Sequence, residues 1–381
     1  MSAILTFNAG SSSLKFAVYE AAAEPALLLS GQVENLGPVA VMSIDGDAKR
    51  DIGPADHAGA MRAIFQTIEP ALQGRSLAGV GHRIVHGGKE FTAPILLDDK
   101  AMSQLAALEP LAPLHQPHNL AGIRAAQDTF PEVPQIGCFD TAFHAGHPFV
   151  NDTFGLPRRF YEKGVRRYGF HGLSYDYITS VLRRDWPGLS KGRVVVAHLG
   201  NGASMCAIRD GQSIGSTMGF SALDGLPMGT RCGQLDPGVI LYLLEQGFST
   251  EAITRILYKE SGLKGISGLS HDMRTLLSSD SAEAAEAIDY YVFRIQRELG
   301  AMAAVLGGID GLVFCGGIGE NAAPIRARVL QNMGFLGLEL DPAKNTAGEM
   351  RIGAGAAEVL VIPTDEERVI ARAVAGLLEL G

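Results

Sequence analysis

Two arginines sit among small and apolar residues, where a charged side chain needs a specific partner. Arg83 lies in Gly-His-Arg-Ile-Val-His-Gly-Gly, and Arg231 lies in Met-Gly-Thr-Arg-Cys-Gly. The alternatives are a buried structural ion pair and an anion site, because a planar guanidinium can give a carboxylate or phosphoryl group two parallel hydrogen bonds. We predict that both arginines bind an anionic substrate.

Two histidines and two carboxylates also have settings that fit catalysis. His171 lies in Tyr-Gly-Phe-His-Gly and His115 in Ala-Pro-Leu-His-Gln-Pro. Each either donates a hydrogen bond to a transferring phosphoryl group or is a satisfied core histidine. Asp140 and Glu366 each follow an apolar strand pattern, where side chains of α/β proteins reach the ligand crevice. Glu366 is a candidate Mg²⁺ ligand, with a carboxylate in the first turn of a helix as the alternative.

Three glycine-rich turns follow apolar strand patterns and are candidate phosphate sites. Two have strands on both sides, at residues 8–13 and 198–204, and look like copies; the third, at 315–321, precedes a helical pattern. Glycines allow conformations that aim successive backbone N–H groups at one anion. Asn8 and Lys15 flank the first turn, although ordinary turns have similar residues and Lys15 also fits a solvated strand position. Two anion sites that face each other suit a nucleotide whose phosphate group is transferred from one site to the other, so the turns predict phosphoryl transfer.

Composition limits the class of protein further. A length of 381 residues fits two domains, and a net charge of −9 with scattered basic residues argues against a nucleic-acid partner. No run of about 18 apolar residues and no signal-peptide pattern occurs, so we expect a soluble protein that is neither exported nor inserted in a membrane. The four cysteines form no C-x-x-C pair, which predicts reduced, buried thiols and a cytoplasmic location.

Strand and helix patterns that must position these residues occur in a similar order in both halves of the chain. Strand patterns cover residues 3–7, 14–19, 27–33, 79–88 (ending in a glycine turn), 135–139, 193–197, 205–208, 311–315 and 358–362; helical patterns cover 57–72, 100–108, 118–130, 237–245, 281–306, 322–333 and 366–380. The polar stretch 151–167 reads as a loop near the domain boundary. We predict an α/β protein with two duplicated domains, one of residues 1–145 with the final helix at about 367–381, the other of residues 146–366.

These motifs, in this order and together with Cys-Phe-Asp-Thr-Ala-Phe-His and Met-Gly-Thr-Arg, closely resemble the acetate/propionate kinase family. The resemblance runs from Asn8 to Glu366, nearly the whole chain. That family belongs to the superfamily of sugar kinases, Hsp70 and actin. The resemblance therefore implies two duplicated ribonuclease-H-like domains with an interdomain active-site cleft.

The resemblance also implies a reaction: reversible, Mg²⁺-dependent, in-line phosphoryl transfer from ATP to acetate, giving ADP and acetyl phosphate. A homodimer is implied by the family only. Asp140 would be the acid/base or metal-organising carboxylate of the family. We favour the second role, because an acetate nucleophile is already ionised at neutral pH and needs no general base.

Site residues carried over from the family fall into four groups. Mg²⁺ would be positioned by Asn8 and Glu366. The transferring phosphoryl group would be stabilised by His171 and Arg231, with Asp140 and His115 beside it. Acetate would be bound through its carboxylate by Arg83 and through its methyl group by Val85, Leu114, Phe170 and Ala222. ATP would be held by Lys15, His198, Leu199, Gly200, Asn201, Gly202, Asp272, Met273, Arg274, Gly317, Ile318, Gly319, Glu320 and Asn321.

Two other functions stay open from the sequence. Ala222 stands where the family commonly has a proline, so a wider pocket and a preference for propionate or another short-chain carboxylate is one alternative. A nucleotide-gated ATPase of the Hsp70 or actin type is the other. The cations Arg83, His171 and Arg231 argue against it, because an ATPase needs water rather than a carboxylate at that place.

Overall fold

The computed structural model describes residues 2–10, 13–72, 74–113 and 115–381. Contacts between Cα atoms divide the chain into two units. Unit 1 comprises Met1–Ala145 and Asp365–Gly381, and unit 2 comprises Gly146–Thr364.

The strands are β1 (Ser2–Ala9), β2 (Ser13–Glu20), β3 (Leu27–Glu34), β4 (Gly37–Ile44), β5 (Arg50–Ala55), β6 (Ser76–Ile84), β7 (Ile95–Leu96), β8 (Gln135–Phe139), β9 (Arg193–Leu199), β10 (Ala203–Arg209), β11 (Gln212–Ser216), β12 (Gly311–Cys315) and β13 (Glu358–Val361). The α-helices are α1 (His57–Leu72), α2 (Asp99–Ala106), α3 (Gln116–Thr129), α4 (Phe149–Asp152), α5 (Arg158–Glu162), α6 (Gly172–Asp185), α7 (Pro187–Ser190), α8 (Pro237–Glu245), α9 (Thr250–Lys259), α10 (Gly262–Ser267), α11 (Met273–Leu277), α12 (Ala282–Leu306), α13 (Gly316–Asn321), α14 (Ala323–Leu330), α15 (Pro342–Ala347) and α16 (Glu366–Leu377). Short 3₁₀ helices cover Glu109–Leu111, Ala142–His144 and Gly334–Leu336.

Unit 1 is built on an eight-stranded sheet in the order β5-β4-β3-β2-β1-β6-β8-β7. Strand β1 pairs antiparallel with β2 and parallel with β6, which in turn pairs parallel with β8. The central strand β1 is apolar at five of its eight positions, three of them in the continuous run of residues 3–5, and Leu5 and Phe7 lie in the hydrophobic core of this unit. A strand buried on both faces needs such a continuous apolar run.

Unit 2 is built on a five-stranded sheet in the order β11-β10-β9-β12-β13. Strand β9 pairs antiparallel with β10 and parallel with β12, which pairs parallel with β13. Three antiparallel strands followed by two parallel ones also describe β3-β2-β1-β6-β8 of unit 1. The two sheets therefore share the strand order of the ribonuclease-H-like fold, which confirms the predicted duplicated α/β architecture.

Helix α16 lies close against β6 because two residues of that strand have no side chain. A Cβ atom on Gly81 would lie 2.3 Å from Cγ2 of Ile370, and one on Gly79 would lie 2.7 Å from Cγ1 of Val374. Alanine at either position would therefore push the helix away. This close approach lets Glu366, the first residue of α16, reach Arg83 of β6.

The strands and helices predicted from the sequence are all present, with bounds shifted by a few residues. Two local predictions are wrong. Residues 151–167 are not a continuous loop, because they contain the end of α4 and all of α5. The third glycine turn is helix α13, which begins directly after β12.

None of the helices in the described part of the chain is both long and apolar enough to cross a membrane.

Candidate active site

Arg83 is the centre of a polar cluster in unit 1. Its Nε donates to Oδ1 of Asp140 at 2.9 Å, and its Nη2 donates to Oδ2 at 2.6 Å. Its Nη1 donates to Oδ1 of Asn8 at 3.0 Å, and Oε2 of Glu366 lies 3.8 Å from Nε. The structure therefore contains the ion pair that the sequence left as an alternative. Among the residues that the structure describes, three of the five N–H groups have an acceptor, which leaves two for another anion.

The strand order explains how residues distant in sequence meet at Arg83. Asn8 lies near the carboxyl end of β1, Arg83 near that of β6, and Asp140 directly after β8. These three strands are parallel neighbours, so their carboxyl ends meet at one edge of the sheet. Glu366 reaches the same place from α16 and not from a strand end. It lies in the first turn of that helix, as the alternative prediction had it, after Asp365, which accepts from the backbone N–H of Arg368.

Burial and charge alter the acid–base behaviour of this cluster. Burial opposes the charged form of Arg83, but the neighbouring Asp140 and Glu366 carboxylates outweigh it and raise the pKa of the guanidinium. Burial raises the pKa of Glu366 to about 7, against the opposing effect of Arg83 and with the help of Asp140. The cluster thus holds more negative charge than its single arginine neutralises.

These residues fit a Mg²⁺ ion whose other ligands come from a nucleotide and from water. No group of three or more His, Cys, Asp or Glu side chains suited to a metal occurs among the residues that the structure describes. Mg²⁺ needs only one or two carboxylates when phosphates and waters complete its shell. Asp140 and Glu366 are the two carboxylates present here, and with Arg83 they leave one net negative charge when both are ionised. The amide oxygen of Asn8 already accepts from Arg83 and has one lone pair left.

The other predicted residues of unit 1 lie on or next to β2, β6 and α3. Lys15 is exposed on β2, opposite Asn8 in the strand pairing, and its charge acts to lower the pKa of Glu366. Val85 is buried just beyond β6. His115 is half-buried and immediately precedes α3. Leu114 lies outside the described residues.

One residue of unit 1 that the sequence analysis missed holds two of these strand ends together. The side chain of Asn119, which is buried in α3, accepts from the backbone N–H of Val85 at 3.0 Å and donates to the carbonyl of Ala9 at 2.6 Å. A single asparagine in a helical pattern gives no signal of this role, because the two strand ends it joins are remote in sequence.

In unit 2, His171 has an unusual backbone conformation at the start of α6. Its φ of 58° lies in the left-handed region, which costs a residue with a Cβ about 1–3 kcal/mol. Its Nδ1 lies 2.8 Å from Oγ of Ser204, which in turn lies 2.5 Å from the hydroxyl of Tyr175. The preceding Phe170 is buried. The backbone is therefore strained at the residue that carries this imidazole.

His198, on β9, stacks on His171 with ring centroids 4.3 Å apart. Its Nδ1 lies 2.9 Å from Oγ of Ser174, to which the hydroxyl of Thr364 donates at 2.8 Å. The following residue, Leu199, is buried in the sheet. His198 therefore lies beneath the glycine turn, with its ring held by hydroxyl groups.

Arg231 lies beside the same turn. Its Nη1 donates to the carbonyl of Ala222 at 3.1 Å. A Cβ atom on Gly202 would lie 3.2 Å from Nε2 of His171 and 3.9 Å from Nη1 of Arg231. The arginine and the histidine thus flank one point on the turn, which a side chain on residue 202 would fill. Such a point suits a phosphoryl oxygen.

A cavity of about 510 Å³ in unit 2 brings together three of the segments predicted to hold ATP. The predicted residues that line it are Gly200, Asn201, Asp272, Met273, Arg274, Gly317, Ile318 and Asn321. Four further lining residues, His271, Leu277, Ala322 and Pro324, were missed, since each is an ordinary neighbour of a motif. The volume and the mixture of apolar side chains with glycine backbone fit a nucleoside.

Helix α13 lines this cavity, and side-chain contacts stabilise both its ends. The carboxylate of Glu320 accepts from the backbone N–H groups of Gly316 and Thr364, at 2.8 and 3.1 Å. The buried guanidinium of Arg326 donates to the carbonyls of Gly319 and Glu320. Glycines are poor helix formers, so their sequence alone predicts a turn. Glu320 and Gly319 are therefore structural neighbours of the cavity and do not line it.

The strand order shared by both units defines the class of ribonuclease-H-like α/β proteins. Residues 3–372 match the Acetokinase family, and the chain belongs to that family, as predicted.

The similarity to individual relatives extends over nearly the full chain. The acetate kinase of Methylocella silvestris is 53% identical, over 99% of this chain and 98% of the relative. A crystal structure of a propionate kinase from Francisella tularensis subsp. tularensis SCHU S4 superposes with a TM-score of 0.92 at 35% identity, covering 98% of this chain and 99% of that one. The crystal structure of Porphyromonas gingivalis acetate kinase gives a TM-score of 0.90 at 35% identity, covering 99% and 100%.

Proposed function

We propose that this chain transfers the γ-phosphoryl group of ATP to acetate, giving ADP and acetyl phosphate, and catalyses the reverse reaction. The observation that carries the proposal is the cavity of unit 2, where three segments predicted to hold ATP converge in a member of the Acetokinase family. A 53% identical relative named acetate kinase supports acetate as the acceptor.

The chemistry requires charge stabilisation and little else. A bond forms between a carboxylate oxygen of acetate and the γ-phosphorus, while the bond from that phosphorus to the oxygen bridging it to ADP breaks. No proton moves, because acetate is already an anion. Charge on the equatorial phosphoryl oxygens needs donors, and Arg231 with Nε2 of His171 supplies them at the Gly202 turn.

Arg83 is the proposed ligand of the acetate carboxylate. Asp140 and Asn8 hold its guanidinium plane and leave two N–H groups for a substrate. Asp140 therefore acts by orienting Arg83 and, with Glu366, by holding Mg²⁺. When bound, Mg²⁺ would neutralise charge on the phosphate groups. Val85, Leu114, Phe170 and Ala222 are the proposed neighbours of the methyl group, and His115 is a proposed neighbour of the phosphoryl group.

Propionate is the second candidate acceptor. Two points favour it: Ala222 is smaller than the proline common in the family, and the structure superposes as well on a propionate kinase as on an acetate kinase. One methylene changes discrimination by only about 1–3 kcal/mol. Both substrates therefore belong in the first experiment.

We also propose a cytoplasmic homodimer. Helix α8 has no buried residue, and Leu241 and Tyr242 on it are 61% and 58% exposed. A second copy of the chain would cover such an apolar helix. All four cysteines are free thiols, three of them buried and Cys232 half-buried, which favours a reducing compartment.

The test is a hydroxamate assay of acyl phosphate with acetate, propionate and butyrate, each with ATP and Mg²⁺. We expect acetyl phosphate to form fastest. ATP hydrolysis without formation of acyl phosphate would contradict the proposal. Faster formation of propionyl phosphate than of acetyl phosphate would make propionate the preferred acceptor. Arg83→Ala should raise KM for acetate more than KM for ATP, whereas Arg50→Ala, at an exposed arginine of unit 1, should change neither.

A further inference from the structure

The two stacked histidines of unit 2 are held in the same way. In each, Nδ1 is in contact with a serine hydroxyl, and each serine contacts a second hydroxyl. Ser204 contacts His171 and is itself in contact with Tyr175. Ser174 contacts His198 and is itself in contact with Thr364. The serine and second hydroxyl come from different segments in each case, so no local sequence motif produces the resemblance.

The direction of hydrogen bonding follows in the second case from the atoms present. The hydroxyl of Thr364 donates to Oγ of Ser174, whose own hydrogen is then free to point to another acceptor. Nδ1 of His198 lies 2.9 Å from that oxygen, whereas Sγ of Cys315 lies at 3.7 Å and is a weak acceptor. Ser174 therefore donates to Nδ1, and the hydrogen of the neutral ring is on Nε2.

The same direction fits His171. Tyr175 is fully buried, and burial raises the pKa of its phenol well above the ordinary value, so the phenol keeps its hydrogen at neutral pH. A phenol is a good donor, and Oγ of Ser204 lies 2.5 Å from it. Ser204 can then donate to Nδ1 of His171.

Both Nε2 atoms lie next to the glycine turn. A Cβ atom on Gly202 would lie 3.2 Å from Nε2 of His171, and one on Gly200 would lie 3.9 Å from Nε2 of His198. In the proposed function this turn faces the phosphate groups of ATP. A ring with its hydrogen on Nε2 can donate to a phosphate oxygen, and a ring with its hydrogen on Nδ1 cannot.

We propose that Ser204 with Tyr175, and Ser174 with Thr364, are positioning residues that select the Nε2–H tautomer of His171 and His198, so that both rings donate to phosphate oxygens at the Gly200–Gly202 turn. The role given to this tautomer rests on the proposed phosphoryl transfer. The tautomer itself is a property of the protein without substrates, so it can be tested separately.

The experiment is ¹⁵N NMR of the full-length protein with labelled histidine, without substrates, at pH 7.5. Ten histidines contribute signals, and spectra of His171→Gln and His198→Gln assign the two of interest. We expect protonated Nε2 and unprotonated Nδ1 in both rings. A hydrogen on Nδ1 of His171, or a doubly protonated ring, would overturn the proposal for that histidine, and the same result for His198 would overturn it there.

Variants separate the selection of a tautomer from a general structural effect. Ser204→Ala should give His171 a mixture of tautomers and lower kcat about tenfold, the effect of one hydrogen bond, with KM for ATP nearly unchanged. Tyr175→Phe should act in the same direction and less strongly, since Ser204 keeps its hydroxyl. Ser174→Ala should change the His198 signals and leave those of His171.

Thr217→Val is the matched control. It removes another buried hydroxyl, which accepts from the backbone N–H of Met205 next to Ser204. It changes neither the Ser204–Tyr175 pair nor the Ser174–Thr364 pair. We expect unchanged histidine signals and unchanged kcat. Unaltered tautomers in Ser204→Ala would refute the proposal even if kcat fell. If wild-type protein shows the expected tautomers but forms no acyl phosphate, the proposed function fails and the tautomer assignment stands.

Discussion

The two units place different chemistry on the same strand order. Asn8 and His198 are each the second-last residue of the middle strand of the common five-strand order, which is β1 in unit 1 and β9 in unit 2, and each strand leads into a glycine turn of the sequence. In unit 1 the position leads to a cluster of formal charges around Arg83 and Asp140. In unit 2 it leads to imidazoles, hydroxyl groups and backbone amides, with Arg231 beside them. A duplicated fold thus supplies equivalent positions, and the residue types decide what each position does.

The difference also concerns how each site is held together. The charges of unit 1 are largely withdrawn from water, so they depend on one another for stabilisation. Apart from Arg231, the donors of unit 2 are treated as neutral groups that hydroxyls orient, so removing one of them leaves no uncompensated charge. Variants of unit 1 should therefore lose stability together with activity, whereas variants of unit 2 should lose mainly activity.

The largest effect is expected in unit 2. Arg231→Ala removes a charge that acts mainly in the transition state, and kcat should fall about a thousandfold or more, with a thermal midpoint close to that of the wild type. Steady-state kinetics and calorimetry measure the two quantities. Arg351→Ala, which breaks an exposed ion pair with Glu358 in the same unit, is the control and should alter neither. Near-normal turnover of Arg231→Ala would remove this residue from the proposed mechanism.

The matching change in unit 1 is Asp140→Ala. It leaves the Arg83 charge without its two-point partner, and breaking such a buried pair costs about 3–5 kcal/mol of unfolding free energy. Urea unfolding measures this loss. Asp185→Ala, in an exposed ion pair with Arg184, should cost much less, because water screens an exposed pair. Equal losses in the two variants would show that the charged cluster does not stabilise unit 1.

The pH dependence of stability should also distinguish the units. Because the Glu366 carboxyl has its pKa raised to about 7 in the folded protein, the folded state binds more protons than the unfolded state above the ordinary carboxyl range. Stability should then fall as pH rises from about 4.5 to about 7, by up to about 3 kcal/mol.

Glu366→Gln should remove this part of the pH dependence, and Mg²⁺ should stabilise the wild type more at pH 7.5 than at pH 5.5. Thermal unfolding at both pH values, with and without Mg²⁺, measures these effects. If stability changes equally with pH in the wild type and in Glu366→Gln, another group causes the pH dependence.

The smallest effect is expected at Ala222, whose carbonyl accepts from Arg231. Ala222→Pro keeps that carbonyl and adds volume, so the ratio of kcat/KM for acetate to that for propionate should rise by about tenfold at most. Ala222→Gly keeps the carbonyl and removes volume, and it should shift the ratio the other way. An unchanged ratio in both variants would show that this position does not set acyl-chain preference.

Local patterns were sufficient for most of the architecture. The apolar runs of β1 and β9 and the long helix α12 were predicted because periodicity and apolar content are encoded within each segment. Helix α13 was not, because glycines disfavour helices and because Thr364, whose backbone N–H donates to Glu320 of this helix, is remote in sequence. Asn119 and Ser204 were missed for a similar reason, since their partners are remote in sequence.

The sequence by itself determined the family, the duplicated fold and the residue types available for phosphoryl transfer, because motifs and periodicity are local. Tertiary structure alone decided which partners these residues have. It gave Arg83 two carboxylates and an amide, and it gave each stacked histidine a pair of hydroxyls. The physical reason is that hydrogen bonds and ion pairs depend on distance in space, which chain folding sets and spacing along the sequence does not.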